Sequence, residues 1–288
     1  MQRFLRFLLV VLPALAMASC GGIPKTSIVS VPDGTPIASV DDSLLARVLE
    51  RAIAPNGAVS YTELRSDSEL TEYLREIALV RTDAFVSRAE LLAFWMNAHN
   101  AYVLDLIRSN GPAHSLDDIP GFQYAKVVIA GGKSYSLDDI EHAVIEKQFR
   151  EPRAFFGLFE GSRSSPELAR TPFSESELSD ELDFQLRNFL ADSTKNYLDR
   201  RTNTLYLSPL FKEYESSLEA ATGGSMLAFI RDFAPPQMAE WIAGHPHITI
   251  SYLRSDNTIF TSDIEPHHEP SHERTYAPAP RRTPGGIR

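Results

Sequence analysis

The chain has 288 residues, 43% of them hydrophobic, with 38 acidic against 28 basic side chains for a formal charge of −10, and a single cysteine. That is enough apolar material for a buried core in one large domain. The negative balance argues against a nucleic-acid partner, and one cysteine excludes an internal disulfide and any multi-cysteine metal site.

The opening MQRFLRFLLVVLPALAMASC sets Arg3 and Arg6 before an apolar run from Phe7 to Met17, with small residues before Cys20. This is the layout of a secretory signal, and the run is too short to span a bilayer. Met17-Ala18-Ser19-Cys20 resembles the bacterial lipobox, with Met where Leu is usual. The resemblance implies that residues 1–19 are removed as a signal peptide and that Cys20 carries lipid. Gly21 rather than Asp after the cysteine implies the periplasmic face of the outer membrane within the bacterial cell envelope. Loss of Arg3 and Arg6 takes the charge from −10 to −12, so the anchor at Cys20, not charge, is expected to hold the protein to the membrane. With Cys20 acylated no thiol remains as nucleophile or ligand.

Residues 20–40, rich in Pro, Gly, Ser and Thr, read as a tether in which no core is expected. From Asp41 or Asp42, Leu44, Leu45, Val48, Leu49 and Ile53 recur at three and four and predict a helix that APNG stops. Gly57 to Leu64 reads as a short extended link, and Ser68 to Val80 as a second helix. Ser87 and Glu90 form a capping box for a third, which carries LLAFWMNAHNAYVLDLI (91–107) and ends at Asn110-Gly111-Pro112. Two copies of SLDDI, 115–119 and 136–140, are each a helix start with a Ser cap and acids in the first turn. Pro120 halts the first, whereas the second runs on through EHAVIEKQF. Between them YAKVVIAGGKSY reads as a hairpin around Gly131-Gly132. Strands are predicted at 153–159, 203–208, 248–253 and 257–261, and helices at 174–199, 209–221 and 225–243. The whole is an α+β fold, a helix-rich N-terminal half packed on a small, mostly antiparallel sheet around a central buried helix, in a single domain over 41–262. Residues 263–288, Pro-rich and aperiodic, read as a disordered tail whose His267, His268 and His272 would hold zinc or nickel only weakly.

The 91–107 segment is apolar around its whole circumference, the mark of a buried helix, yet it carries Asn97, His99 and Asn100. Burying an unpartnered amide costs roughly 1–3 kcal/mol, so these side chains require partners. Either each Asn ties down a loop backbone or the pair, which shares a face, holds a ligand. Glu141-His142 is the second candidate. Neighbours on an α-helix point about 100° apart, so at most one of the two faces any given partner. The helix dipole disfavours a charged His142, which suits a neutral base or a hydrogen-bond donor.

FWMNAHNAYVLDLI, YSLDDIEHAVIE, EPRAFFGLFEGSRSSPEL and TLYLSPLFKEY, with GAVSYTEL before them, resemble the domain-of-unknown-function family 547 of bacteria, plants and nematodes. The resemblance covers roughly Asp41 to Phe233. Its aromatic-Trp-Ile-Asn-x-Tyr-Asn helix is matched by Phe94, Trp95, Met96, Asn97, His99 and Asn100, and its Ser-Leu-x-x-Ile-Glu-His by Ser136, Leu137, Ile140, Glu141 and His142. A third signature, close to Pro-Arg-x-His-Phe-Ala-Leu-Asn-Cys-Gly-Ser-x-Ser-Cys-Pro, keeps its frame from Pro152 and Arg153 to Pro166. Its His is here Phe155, its Asn Phe159, its first Cys Glu160 and its second Ser165. If the family's Cys and His act as nucleophile and base, neither is present. If the Cys binds a metal, Glu160 suits only a harder ion.

The resemblance therefore implies a fold and a cleft rather than a reaction. The first reading is a non-catalytic envelope lipoprotein that binds a small ligand or an envelope protein, and loss of the third signature favours it. The alternative is an envelope hydrolase or transferase with Glu141, His142 and Glu160 as acid-base groups and Trp95, Asn97, His99, Asn100 and Arg153 holding the substrate. A metal on His99, His142 and Glu160 has no close-spaced motif behind it, so no metal and no cofactor is expected.

Overall fold

The computed structural model describes residues 22–263; Cys20 and the three histidines of the tail lie outside the described residues. Helix α1 (Asp42–Ala52) starts where Asp41 accepts from Ser43 N, and α3 (Ser68–Leu79) where Asp67 accepts from Leu70 N. The two pack together through Leu45, Val48 and Leu49 on one side and Leu70, Leu74 and Ile77 on the other. Between them, 61–64 is a short helix α2 (Tyr61–Leu64) rather than an extended link, because Ser60 caps it by accepting from Glu63 N.

Helix α4 (Arg88–Asn110) is the centre of the molecule, with every residue from Leu92 to Ile107 buried. Ser87 Oγ accepts from Glu90 N, and the Glu90 carboxylate reaches one residue further back, to Val86 N. The repeated SLDDI is a repeated cap. Ser115 and Asp118 exchange side-chain-to-backbone hydrogen bonds at the first copy, and Ser136 and Asp139 do the same at the second. The first copy makes a single turn (Leu116–Asp118), and the second opens a π-helix over Asp139–Phe149. Between them β1 (Val128–Ala130) and β2 (Lys133–Tyr135) pair antiparallel around Gly131 and Gly132, both at positive φ, as a tight hairpin turn requires.

The segment 153–159, expected as a strand, is instead a 3₁₀ helix over Pro152–Gly157. Proline at its first position has the helical φ already set, and Glu151 caps it by accepting from Arg153 N. The predicted helix 174–199 is shorter, α5 (Leu178–Ala191). It ends in a turn in which Asp192 accepts from Thr194 N, and the freed residues form β3 (Tyr197–Asp199). Strand β4 (Thr204–Leu207) pairs antiparallel with β3 and parallel with β5 (Thr249–Tyr252), so one of the three strand pairings in the described residues is parallel. Between these strands lie α6 (Leu210–Glu213), α7 (Glu215–Ala221), α8 (Met226–Phe233) and α9 (Pro236–Gly244), the last two being one predicted helix interrupted at Pro235-Pro236. Residues 257–261 make isolated bridges to Ser115, Ser162 and Val59 instead of a continuous strand. The architecture is α+β, as the sequence predicts.

The stretch read as a coreless tether is bound to the body. Ile28 joins the core, and Ile37 pairs with Val80. Thr26 Oγ1 and Ser27 N donate to the buried Asp105, Lys25 and Asn110 exchange backbone and amide hydrogen bonds, and Arg108 donates to Ser27, Thr71 and the Leu64 carbonyl. At the other end Asp263 accepts from Ser60 Oγ and Thr62 N. Among the described residues no helix is long and apolar enough to cross a membrane.

Candidate functional site

The buried amides of α4 are spent on passing backbone. Asn97 donates to the Phe173 carbonyl and accepts from Phe173 N, both at 2.9 Å. Asn100 donates to the Gly157 carbonyl at 3.0 Å and accepts from Phe159 N at 2.9 Å. A carboxamide carries a donor and an acceptor side by side, so it can pair with an extended segment as a neighbouring strand would. Two otherwise irregular stretches are thereby fixed against the central helix. Gly161, at φ +87°, lets the second come closer still, since a Cβ there would stand 2.3 Å from Ile107 Cδ1.

His99 is fully buried between two oxygens. Its Nε2 lies 2.7 Å from Glu141 Oε1 and its Nδ1 3.2 Å from Asn100 Oδ1. Each ring nitrogen thus faces one oxygen, the amide oxygen of Asn100 on one side and the carboxyl group of Glu141 on the other. The aromatic-Trp-Ile-Asn-x-Tyr-Asn pattern has a tyrosine here, so His99 gives this chain a buried pair with Glu141. Glu141 Oε1 also accepts from Gln123 Nε2 at 2.8 Å, while its Oε2 has, among the described residues, only the Tyr214 hydroxyl, at 3.4 Å.

His142, next in sequence, is part-exposed. Its Nδ1 is 2.9 Å from Glu146 Oε2, and Glu146 in turn accepts from Ser217 Oγ at 2.6 Å. Its Nε2 stands 3.6 Å from Glu213 Oε1 and 3.8 Å from Asp138 Oδ1. Burial works against a charged His142, but the Glu146 hydrogen bond and the charges of Glu141 and Asp138 outweigh it and hold the pKa above the usual histidine value. This reverses the effect expected from the helix dipole. The π-helix also overturns the expectation that Glu141 and His142 must part company. With i→i+5 bonding each residue advances by less than an α-helical residue, and both side chains reach one place. Among the described residues, Glu141, His142 and Glu213 offer ligand atoms that all lie within 4.8 Å of one another.

Glu160 borders this group. Burial, then repulsion from Glu141 and Glu213, pushes its carboxyl up to about 8, and burial with the Glu141 charge raises Glu213 as well. Phe155, where the third signature has histidine, is stacked flat on Tyr214, with ring centroids 3.6 Å apart and planes 5° from parallel. Phe159 is fully buried. Trp95 is buried edge-on to Phe94 and Tyr135, and Arg153 is engaged by Glu151 and Asp183 at 2.7 and 2.6 Å. A cleft of about 710 Å³ lined by Glu146, Lys147, Arg150, Glu151, Phe155 and Ser217 among others meets this group at Glu146, and Glu141, His142, Glu160 and Glu213 are not in its lining. Of the nominated residues, then, Glu141, His142 and Glu160 come together, His99 supports them from behind, and Asn97, Asn100, Trp95 and Arg153 have other partners.

Residues 84–190 match the model of the DUF547 family, proteins of unknown function. The DUF547 segment holds α4, the π-helix and all but the last residue of α5, hence Asn97, His99, Asn100, Glu141, His142 and Glu160. Glu213 and Tyr214, which complete the cluster, lie beyond it. Spacing arguments on α4 and 136–149 cannot reveal them, but they stand in SPLFKEY, inside a stretch that carries the resemblance. No curated protein and no solved structure matches the chain.

Proposed function

We propose that the protein is a lipid-anchored envelope protein that binds a positively charged ligand or partner group in the recess of Glu141, His142, Glu160 and Glu213, without transforming it. The observation that carries this reading is the occupation of the groups nominated to hold a substrate. Asn97 and Asn100 have both amide functions committed to backbone, Arg153 is paired twice, and Phe155 covers Tyr214. What stays free is acidic. The carboxyl groups of Glu141, Asp138, Glu146 and Glu213 surround one histidine, and such a surround favours a cation over an anion. The anchored part of this reading is supported by MASC at 17–20, whose likeness to a lipobox implies the cell envelope and the periplasmic face of the outer membrane.

Titration of the purified protein with spermidine at low salt tests the binding half. Saturable binding that Glu213→Gln weakens supports it, and no binding overturns it. Mass spectrometry of the mature N-terminus tests the anchor, which Cys20→Ser must abolish. A second reading, acid-base catalysis, is favoured by one observation. Glu160, with a carboxyl pushed up to about 8, holds a proton at neutral pH and stands beside Glu141. Hydrolysis of p-nitrophenyl esters, phosphates or glycosides that Glu160→Gln removes would establish it in place of the binding reading.

A further inference from the structure

Two side chains of the cluster are each held by one atom and left open at the other. Glu141 Oε1 is fixed by His99 at 2.7 Å and Gln123 at 2.8 Å, while Oε2 has a single long contact to Tyr214. His142 Nδ1 is fixed by Glu146 at 2.9 Å, itself held by Ser217, while Nε2 has two carboxylate oxygens at 3.6 and 3.8 Å and, among the described residues, no hydrogen bond. A ligating histidine whose other nitrogen is held by a carboxylate, and a ligating carboxylate oriented through its second oxygen, are the outer arrangement of metal sites. Among the described residues, Glu141, His142 and Glu213 each offer one ligand atom, and these three atoms lie within 4.8 Å of one another. The carboxylate of Glu160 feels the charges of Glu141 and Glu213 and has no hydrogen-bond partner among the described residues.

We infer that Glu141 Oε2, His142 Nε2 and a Glu213 oxygen bind a divalent first-row transition ion, with Glu160 beside them as a further carboxylate. This rests on the cation-binding reading of the same recess and names the cation. One imidazole with two or three carboxylates is a mixed donor set. Magnesium and calcium prefer oxygen alone and soft ions prefer thiolate, so manganese(II) and zinc(II) fit best. His142 Nε2 and Glu213 Oε1 need little movement, since two ligands each about 2.0–2.2 Å from one ion lie roughly 3.4 Å apart in tetrahedral geometry, against 3.6 Å here. Glu141 stays pinned throughout by groups that the ion would not touch.

The test is titration of chelator-stripped protein with manganese(II), followed by the spin resonance of the free ion, and with zinc(II), followed by metal analysis after desalting. One ion per chain is expected, with affinity reduced at least tenfold in Glu213→Gln and in His142→Gln and little competition from equal magnesium. Because both variants keep His267, His268 and His272, zinc retained unchanged in them belongs to those histidines and overturns the inference, as does absence of stoichiometric binding of either ion. Spermidine binding measured in parallel separates the two readings. If it is present and sensitive to Glu213→Gln while neither ion binds, the metal site falls and the acidic recess stands; if nothing binds, both fall.

Discussion

The inner and outer sides of one polar cluster obey opposite rules. Inside, Asn97, Asn100, His99 and Glu141 are buried, and their polar capacity is nearly used up on backbone, on Gln123 and on one another. Outside, a few ångströms away, His142, Glu160 and Glu213 are partly exposed, with like charges pressed together and an open ring nitrogen. Satisfied groups define the fold; crowded ones are tolerated by it. Such crowding costs stability, so its presence is the physical reason to place binding there.

Substitutions sharpen this contrast. The largest loss is expected from His99→Ala, which strands Glu141 in the core. Breaking a buried pair by removing one partner costs about 3–5 kcal/mol, read as a fall in urea midpoint at unchanged slope. Asn100→Ala should follow at about 2–4 kcal/mol, because it removes three hydrogen bonds and leaves a buried carbonyl, a buried N–H and the Nδ1 of His99 unpaired. A cost under about 1 kcal/mol would mean that the 157–159 segment is not held from α4. Asn100→Asp should recover little, since it keeps the acceptor for Phe159 N but loses the donor to Gly157.

Glu160→Gln should act in the opposite direction and depend on pH. The folded pKa of about 8 stands above the ordinary 4.5, so this carboxyl favours the folded state fully below 4.5. The advantage drains away as pH rises from there through 8. In chelator, the melting temperature of the parent protein should therefore drop between pH 5 and 8, and Glu160→Gln should drop less. Equal slopes would remove the crowding argument. The smallest effect belongs to His142→Ala and Glu213→Gln, which are partly exposed and should shift stability by no more than about 0.5 kcal/mol without metal, yet with manganese present the parent alone should gain stability.

Much of the inner side was legible in the sequence. The apolar circumference of 91–107, the Ser87 cap and the cost of burying amides together demand a central helix with partnered Asn97 and Asn100. The partners themselves were not legible, because they lie 57 to 76 residues away and are backbone groups, which leave no mark in composition. The outer side was half legible. Glu141 and His142 announced themselves, but 73 residues separate Glu141 from Tyr214, and an angular argument that assumes α-helical winding sets Glu141 and His142 apart where the π-helix brings them together. Phe155 and Phe156 read as strand formers until Pro152 and its Glu151 cap are weighed, which close a 3₁₀ turn first.

The strap at residues 25–27 has its own consequence. Five peptide units separate Cys20 from Lys25, and fully extended chain spans at most about 3.6 Å per residue, so an acylated Cys20 would keep the clamped end of α4 within roughly 18 Å of the lipid. Ile23 and Tyr124 are both largely exposed, and the 120–121 turn lies against Gly22 and Pro24. On a leash that short the body would have a floor and a ceiling. It could not reach across the periplasm toward a distant partner, so whatever enters the acidic recess would have to come to the membrane to be caught.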